Sequence, residues 1–244
     1  MSIRASSSKF SSSGAVEGGS KITHNPFFPY VPNFWNFDEW APVGIRYTAK
    51  HKVPMLRSAE VELASARLVA YDKRRQSADA ADTIVHFYIS DERFKRALED
   101  PTGCADDLAK FRAVIGPDFS PYSTHQAELR YSSIWYAKAV TAYWQYRGLR
   151  VIPNVRWTSH GDIFVVVDGL PSGSTLSVST LGVTKSKEQI SLFRRGLEQL
   201  VTSAEPKRLI VHGRDRGELF DTVRDKTSLT FFQTQIDAAY EARR

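Results

Sequence analysis

The sequence predicts an α/β protein: a predominantly parallel sheet with alternating helices, in which a small or irregular (β/α) barrel is favoured over an open doubly wound sheet. Two observations carry this. From residue 53 onward, short apolar runs alternate with helical patterns, the arrangement that yields parallel strands joined by helical crossovers. About six to eight such runs occupy about 190 residues, enough for a barrel of modest size. No stretch repeats itself at a period of about 20 to 50 residues, which argues against a solenoid.

The chain divides into three parts. Residues 1–22 are Ser- and Gly-rich and read as a disordered tail. Residues 23–52 hold an aromatic and Pro-rich segment, "HNPFFPYVPNFWNFDEWAPVG", in which Pro fixes φ and removes donors, so a central strand is not expected. Phe27, Phe28, Tyr30, Phe34, Trp35, Phe37 and Trp40 need cover, and an arm packed on the domain is favoured over a stacking platform for bases. No basic residue lies between His24 and Arg46 to track a phosphate backbone. Residues 53–244 form a single α/β domain.

Within that domain the elements follow in order. "KVPML" reads as a short strand, and Glu60 to Asp72 as a helix followed by a polar loop. "TIVHFYIS" is a strand; "DERFKRALED" after it is a short helix that Asp91 can cap by accepting early backbone N–H groups. "FRAVIGPDFS" is the next strand. "THQAELRYSSIWYAKAVTAYWQYRG" is a long helix with Leu129, Ser133, Tyr136, Val140 and Trp144 along one face, Ser120 or Thr124 as its cap, and Gly148 as its left-handed stop. "LRVIPNVRW" is a strand, and "DIFVVVDGLPSGSTLSVST" holds two β-rich runs about a Gly/Pro/Ser turn. In "TKSKEQISLFRRGLEQLVTSA" a Ser186/Gln189 capping box starts an amphipathic helix with Ile190, Phe193, Leu197 and Val201 as its stripe. "KRLIVHG", "DRGELFDTVRD" and "SLTFFQT" read as strand, helix and strand; "QIDAAYEARR" reads as a terminal helix or frayed tail.

Composition narrows the function classes. The 244 residues carry 33 Lys and Arg against 27 Asp and Glu, a net charge of +6, which suits an anionic partner such as nucleic acid or a nucleotide without being the composition of a nucleic-acid coat. The single cysteine, Cys104, permits no disulfide framework, fits a reducing compartment, and sits in an acidic loop that would raise its pKa. No apolar run reaches the roughly 20 residues of a membrane helix, and the N-terminus lacks the apolar core of a secretory signal, so no membrane partner and a cytoplasmic location are expected. Phosphate-loop, dinucleotide and nucleophile-elbow motifs are missing. The six histidines are scattered, so no metal site is expected, and His86 reads as a core or supporting residue. No cofactor can be named.

In parallel α/β folds ligands sit at the carboxyl ends of the strands. Reading the residue that ends each run gives Asp91, Asp118 with Ser120, Arg156 with Trp157, Asp168, Ser179 with Thr180, and His212 with Gly213 and Arg214. Acids, an arginine, an indole and hydroxyls converging on one mouth suit a polar ring such as a sugar or base. Each also has a structural reading: Asp91 and Ser120 as caps, Asp168-Gly169 as a turn, Arg156 as the partner of Asp118 or Asp168, and Trp157 as an end plug. Asp118 follows Pro117, which ends the ladder, and with Ser and Thr available as caps its carboxylate is free to act as general base or acceptor. Asp118 and Asp91 are the candidate catalytic residues. Ser120, Arg156, Trp157, Asp168, Ser179, Thr180, His212 and Arg214 are the candidate ligand-binding ones. Arg156 offers a fork for an anion and Trp157 a face for a ring.

The ordered motifs P-D-F-S (117–120), I-P-N-V-R-W (152–157) and G-x-P-x-x-S (169–174) resemble those of a domain-of-unknown-function family found in phages, prophages and plasmids. The resemblance covers roughly residues 53 to 215 and extends to Asn154, Gly169, Pro171, Ser174, Ser179 and Gly182. The sequence departs from that pattern at Ser90-Asp91, where two acids are usual, and at "IFVVVDG", where a more aromatic run is common. The resemblance implies a mobile-element origin and no established activity. Two functions stand: an enzyme acting on a nucleotide, nucleobase or glycosidic bond, or a non-catalytic nucleic-acid-binding, host-interaction or replication factor. A structural phage component is disfavoured by the α/β pattern.

Overall fold

Seven short strands, the central ones buried along almost their whole length, build two sheets in which every described pairing of strands is parallel. The computed structural model describes residues 44–234. The tail, most of the aromatic arm and the terminal "QIDAAYEARR" segment lie outside the described residues. The strands are β1 (Arg67–Ala70), β2 (Thr83–His86), β3 (Ala113–Ile115), β4 (Val151–Ile152), β5 (Thr175–Ser179), β6 (Arg208–His212) and β7 (Ser228–Phe232). They pair in chain order, β1-β2-β3-β4 in one sheet and β5-β6-β7 in a second. A single parallel bridge, Asn154 with Ser177, joins the sheets. It is flanked by hydrogen bonds from Ser177 N to Pro153 O and from Val155 N to Ser177 O, both 2.9 Å.

Sequential order without reversal is that of a barrel wound in one direction; a doubly wound sheet reverses at a switch point. No ladder closes β7 onto β1 among the described residues. Side chains fill the interior between these edges instead: Leu68 of β1 and Phe232 of β7 pack against the cluster of Ile84, Ile115, Ile152 and Ile210. The period of two sends Val85, Val114 and Val151 to the other face, and likewise Leu176, Val178, Leu209 and Val211.

Among the described residues six α-helices cover these outward faces: α1 (Arg96–Glu99), α2 (Pro101–Leu108), α3 (Ala127–Tyr146), α4 (His160–Val167), α5 (Lys187–Ala204) and α6 (Gly217–Phe220). Helix α3 buries Tyr136, Val140 and Trp144 and ends at Gly148, whose φ of 88° is the expected left-handed stop. Helix α5 buries Phe193, Leu197 and Val201, and Ser186 Oγ accepts the Gln189 N–H at 3.3 Å.

Several expectations are corrected. Residues 60–66 are not helical: buried Val61 and half-buried Leu63 alternate with exposed Glu62 and Ala64, a period of two, and β1 with a short 3-10 turn (Tyr71–Gln76) follows. "KVPML" contributes only one antiparallel bridge, Tyr47 with Pro54. "IFVVV" is helix α4, not a strand. Ser159 Oγ accepts the Asp162 N–H at 3.2 Å, and Asp162, Ile163 and Val166 are buried at helical spacing; a cap and a buried face override the β preference of branched residues. Neither Ser120 nor Thr124 caps α3, which starts at Gln126 without a side-chain cap. Cys104 lies in helix α2, capped by Asp100 accepting from Gly103 N (2.9 Å), and its thiol is pushed up to about 11 by burial rather than by an acidic loop.

Candidate functional site at the strand ends

Past the carboxyl ends of the strands, alternation continues for a few residues and sets the polar groups. Pro117 ends β3, and Asp118 turns inward, 5% exposed. Asn154 and Arg156 lie two apart beyond β4 and reach the same carboxylate. Asn154 Nδ2 donates to Asp118 Oδ1 at 2.8 Å, and Arg156 Nη1 pairs with Oδ2 at 3.3 Å. An ionised carboxylate accepts only, which fixes the Asn154 amide with its oxygen turned the other way. That oxygen accepts the Tyr88 hydroxyl at 2.9 Å, and Tyr88 Oη lies 2.7 Å from Ser177 Oγ.

Behind this row lies a buried aromatic layer. The Tyr88 and His212 rings stack with centroids 4.7 Å apart, and His86 lies 4.6 Å from His212. His86 Nδ1 accepts from Tyr88 N (3.1 Å), and burial, with the neighbouring His212, holds the imidazole down at about 3. His86 is therefore neutral, a supporting residue as expected. His212 Nδ1 is 3.1 Å from Ser179 Oγ.

Asp91 does not cap its helix. Its carboxylate takes Ser120 from two sides, Oδ1 with the hydroxyl (3.0 Å) and Oδ2 with the backbone N–H (3.1 Å). Burial raises its pKa to about 6, against the two Ser120 bonds, and the Asp118 charge adds to the rise. A third carboxylate, Asp162, is wholly buried and locks the surrounding loops. It binds Arg130 Nε (2.9 Å) and Thr158 N (3.0 Å), while Thr158 Oγ1 reaches Pro121 O at 2.5 Å.

These loops line an open-mouthed cavity of about 500 Å³. Ser120 to Ser123 form one side; Val155 to Thr158 the back; Ser179, Leu181 to Val183, Lys185 and the first turns of α5 the other. Of the expected site residues, Ser120, Arg156, Trp157 and Ser179 line it. Asp118, Asp91 and His212 stand behind, touching its walls through Arg156, Ser120 and Ser179. Trp157 is not an open stacking face: it is 8% exposed, stacks on Phe193 at 5.3 Å and 17°, and its nitrogen points to Leu192 O. Thr180 N binds His212 O at 3.0 Å, and neither Thr180 nor Arg214 lines the cavity.

Asp168 does not join the site. Its run is helix α4, so it ends a helix rather than a strand. Its carboxylate pairs with His51 Nδ1 (2.9 Å), and its carbonyl accepts from the buried Lys138 ammonium (2.7 Å). Sequence reasoning did not assign site roles to Tyr88, Asn154, Ser177 or Lys185. The first three carried a signal: each lies two residues along the alternation from a residue already marked, at His86, Arg156 and Ser179. Among the described residues no three His, Cys, Asp or Glu side chains are grouped to hold a metal ion. No helix among them is long and apolar enough to cross a membrane.

The fold and this geometry define a parallel, singly wound α/β protein with a ligand-sized cavity at the carboxyl ends of its strands. The chain belongs to the DUF4417 family, a domain of unknown function, whose family model matches residues 45–232. It is similar to the Gene 1 protein of Mycobacterium phage L5, 30% identical over 171 residues, covering 69% of this chain and 74% of that protein. It is also similar to the Gene 1 protein of Mycobacterium phage D29, 27% identical over 169 residues, covering 69% of this chain and 63% of that protein, just under two thirds of its length. No solved structure matches the chain. The expected resemblance to a phage-associated family of unknown function is thus borne out.

Proposed function

We propose that this protein is an enzyme acting on a nucleotide, nucleobase or glycosidic bond in the cavity at the strand ends, in the cytoplasm of a bacterial host. The observation that carries the reading is the Asp118–Arg156 pair. Arg156 lines the cavity, its side chain is 28% exposed, and it meets Asp118 through one 3.3 Å contact rather than a two-point fork. An anionic ligand can take the guanidinium by offering it a better partner. The Asp118 carboxylate is then left with Asn154 alone and becomes available as general base or acceptor. Asp91, near 6, orients the hydroxyl of Ser120, which also lines the cavity. Its position close to neutral pH suits proton transfer.

The test is a panel of nucleosides, nucleobases, nucleotides and sugars, offered to the full chain and to Asp118→Asn, with calorimetric binding and chromatographic product analysis. One class should bind and be converted, and Asp118→Asn should still bind while turnover falls by about 100-fold or more. If nothing in the panel binds, while labelled DNA binds with an affinity that falls steeply with salt, the protein is instead a non-catalytic nucleic-acid-binding factor, the role its +6 charge would serve.

A further inference from the structure

Two cations of different standing face the cavity. Arg156, at the back, makes no hydrogen bond among the described residues beyond its one contact with Asp118, so most of the guanidinium's five N–H donors remain for a ligand. Lys185, at the lip, is exposed and has no hydrogen-bond or ion-pair partner among the described residues. The one acid that lines the cavity, Glu188, is engaged with the Ser186 hydroxyl and its own backbone N–H at the start of α5. The rest of the lining is largely apolar, with half-buried Leu181, Val183 and Leu192 facing the cavity and the buried, mutually stacked Trp157 and Phe193 behind them.

Resting on the reading above, we infer that the ligand is a nucleoside monophosphate, its phosphate held between Arg156 and Lys185 and its base lying against the apolar lining of Leu181, Val183 and Leu192. Charge selects the anion. A phosphate monoester is close to doubly charged at neutral pH, and the cavity offers two cations, one a planar fork and one a point charge, where a carboxylate would need one. The wall selects the ring. A sugar phosphate without a base would leave the apolar surface of Leu181, Val183 and Leu192 against water and bring hydroxyls that need partners, whereas a base has a flat face to bury. Size selects the monomer: about 500 Å³ is room for one small molecule, and a strand would have to leave through the lip.

The experiment is calorimetric titration of the full chain with inorganic phosphate, ribose 5-phosphate, the four common ribonucleosides, their 5′-monophosphates and a 5′-phosphorylated oligonucleotide, at low and high salt. It is repeated with Lys185→Ser, which alters an exposed side chain with no partner to strand. A monophosphate should bind about ten-fold or more tighter than its nucleoside, the return expected of a charge-assisted contact, and tighter than ribose 5-phosphate. Lys185→Ser should weaken it about two- to five-fold and reduce the salt dependence, as an exposed charge does. A nucleoside that binds as tightly as its monophosphate overturns the phosphate assignment, as does a Lys185→Ser protein of unchanged affinity. Ribose 5-phosphate binding equally overturns the base assignment, and tighter binding of the oligonucleotide overturns the monomer. Binding of bases or nucleosides alone leaves the proposed enzyme standing without this inference. Binding of none of these, or of the nucleobases and sugars above, removes both.

Discussion

Asn154 donates to Asp118 across 2.8 Å while its carbonyl oxygen accepts from Tyr88. The carboxylate is thus aimed by an amide whose own orientation is fixed from behind. Asp118→Asn preserves an acceptor for Asn154 and leaves a half-exposed Arg156 hydrated, so its stability should change by less than about 1.5 kcal/mol. Asp118→Ala strands both donors and should cost about 2–4 kcal/mol. Urea midpoints of the two variants check the difference; equal midpoints would remove Asn154 and Arg156 as partners that matter.

Asp162 should be the more costly carboxylate to lose. It is wholly buried and faces Arg130, whose side chain is 14% exposed. Asp162→Ala leaves that guanidinium without a counter-charge and frees Thr158, a wall residue of the cavity. A loss of about 3–5 kcal/mol is expected, read as a fall in Tm of about 10 °C. A change of only a degree or two would mean that Arg130 finds water or another acceptor.

Lys138 gives stability an alkaline signature. Burial lowers its pKa from 10.5 to about 7, opposed by the charge of Asp168. Between about 7 and 10.5 the unfolded chain holds the proton that the folded protein has released, so this group makes stability rise with pH there, by at most about 1.4 kcal/mol per pH unit. Below 7 both states are charged and the folded protein carries the full cost of the buried ammonium. Lys138→Met should therefore be more stable than the parent at pH 6 to 7, with an advantage that shrinks towards pH 10. Denaturation at four pH values tests this, and a constant difference would refute it.

Asp91 works in the opposite direction in acid. Its folded pKa of about 6 lies above the ordinary 3.8, so its contribution is present at low pH and is lost as pH rises between about 4 and 6. Asp91→Asn should gain on the parent through that window and hold a constant lead above about pH 7. The same urea series reads it; parallel curves would show that the carboxyl titrates normally.

Gly196 lies inside α5, where alanine ordinarily adds about 1 kcal/mol. A methyl group there would overlap the indole of Trp157. Gly196→Ala should therefore destabilise, by about 1–3 kcal/mol, and displace the cavity wall. Tryptophan emission should shift with it. A stabilised protein with unchanged emission would show that the ring has room to move.

Much of this fold can be read from the chain, because long helices announce themselves. Helix α3 has its stripe and its glycine, and α5 has Ser186 and a regular apolar face. The strand ends were equally legible where a strand truly ends, at Asp118, Ser179 and His212. Asp168 misled because "IFVVV" has the composition of a strand, while the Ser159 cap and the partner of Asp162, Arg130 on another helix, decide for a helix. That partner is 32 residues away, beyond any local pattern. The relay from Ser177 through Tyr88 to Asn154 spans up to 89 residues of sequence and becomes visible only once the ends of β2 and β4 and the strand β5 come together.

The lone bridge at Asn154 and Ser177 has a mechanical meaning. Each sheet has its own outer core, α2 and α3 over one and α4 to α6 over the other, and between them the backbone offers little more than this stitch. Native structure opens first where the fewest bonds must part. The cavity straddles that line, with Ser120 to Ser123 on one bank and Lys185 to Phe193 on the other. A molecule seated there acts as a clasp, and its binding energy is added to the resistance of the two halves to coming apart.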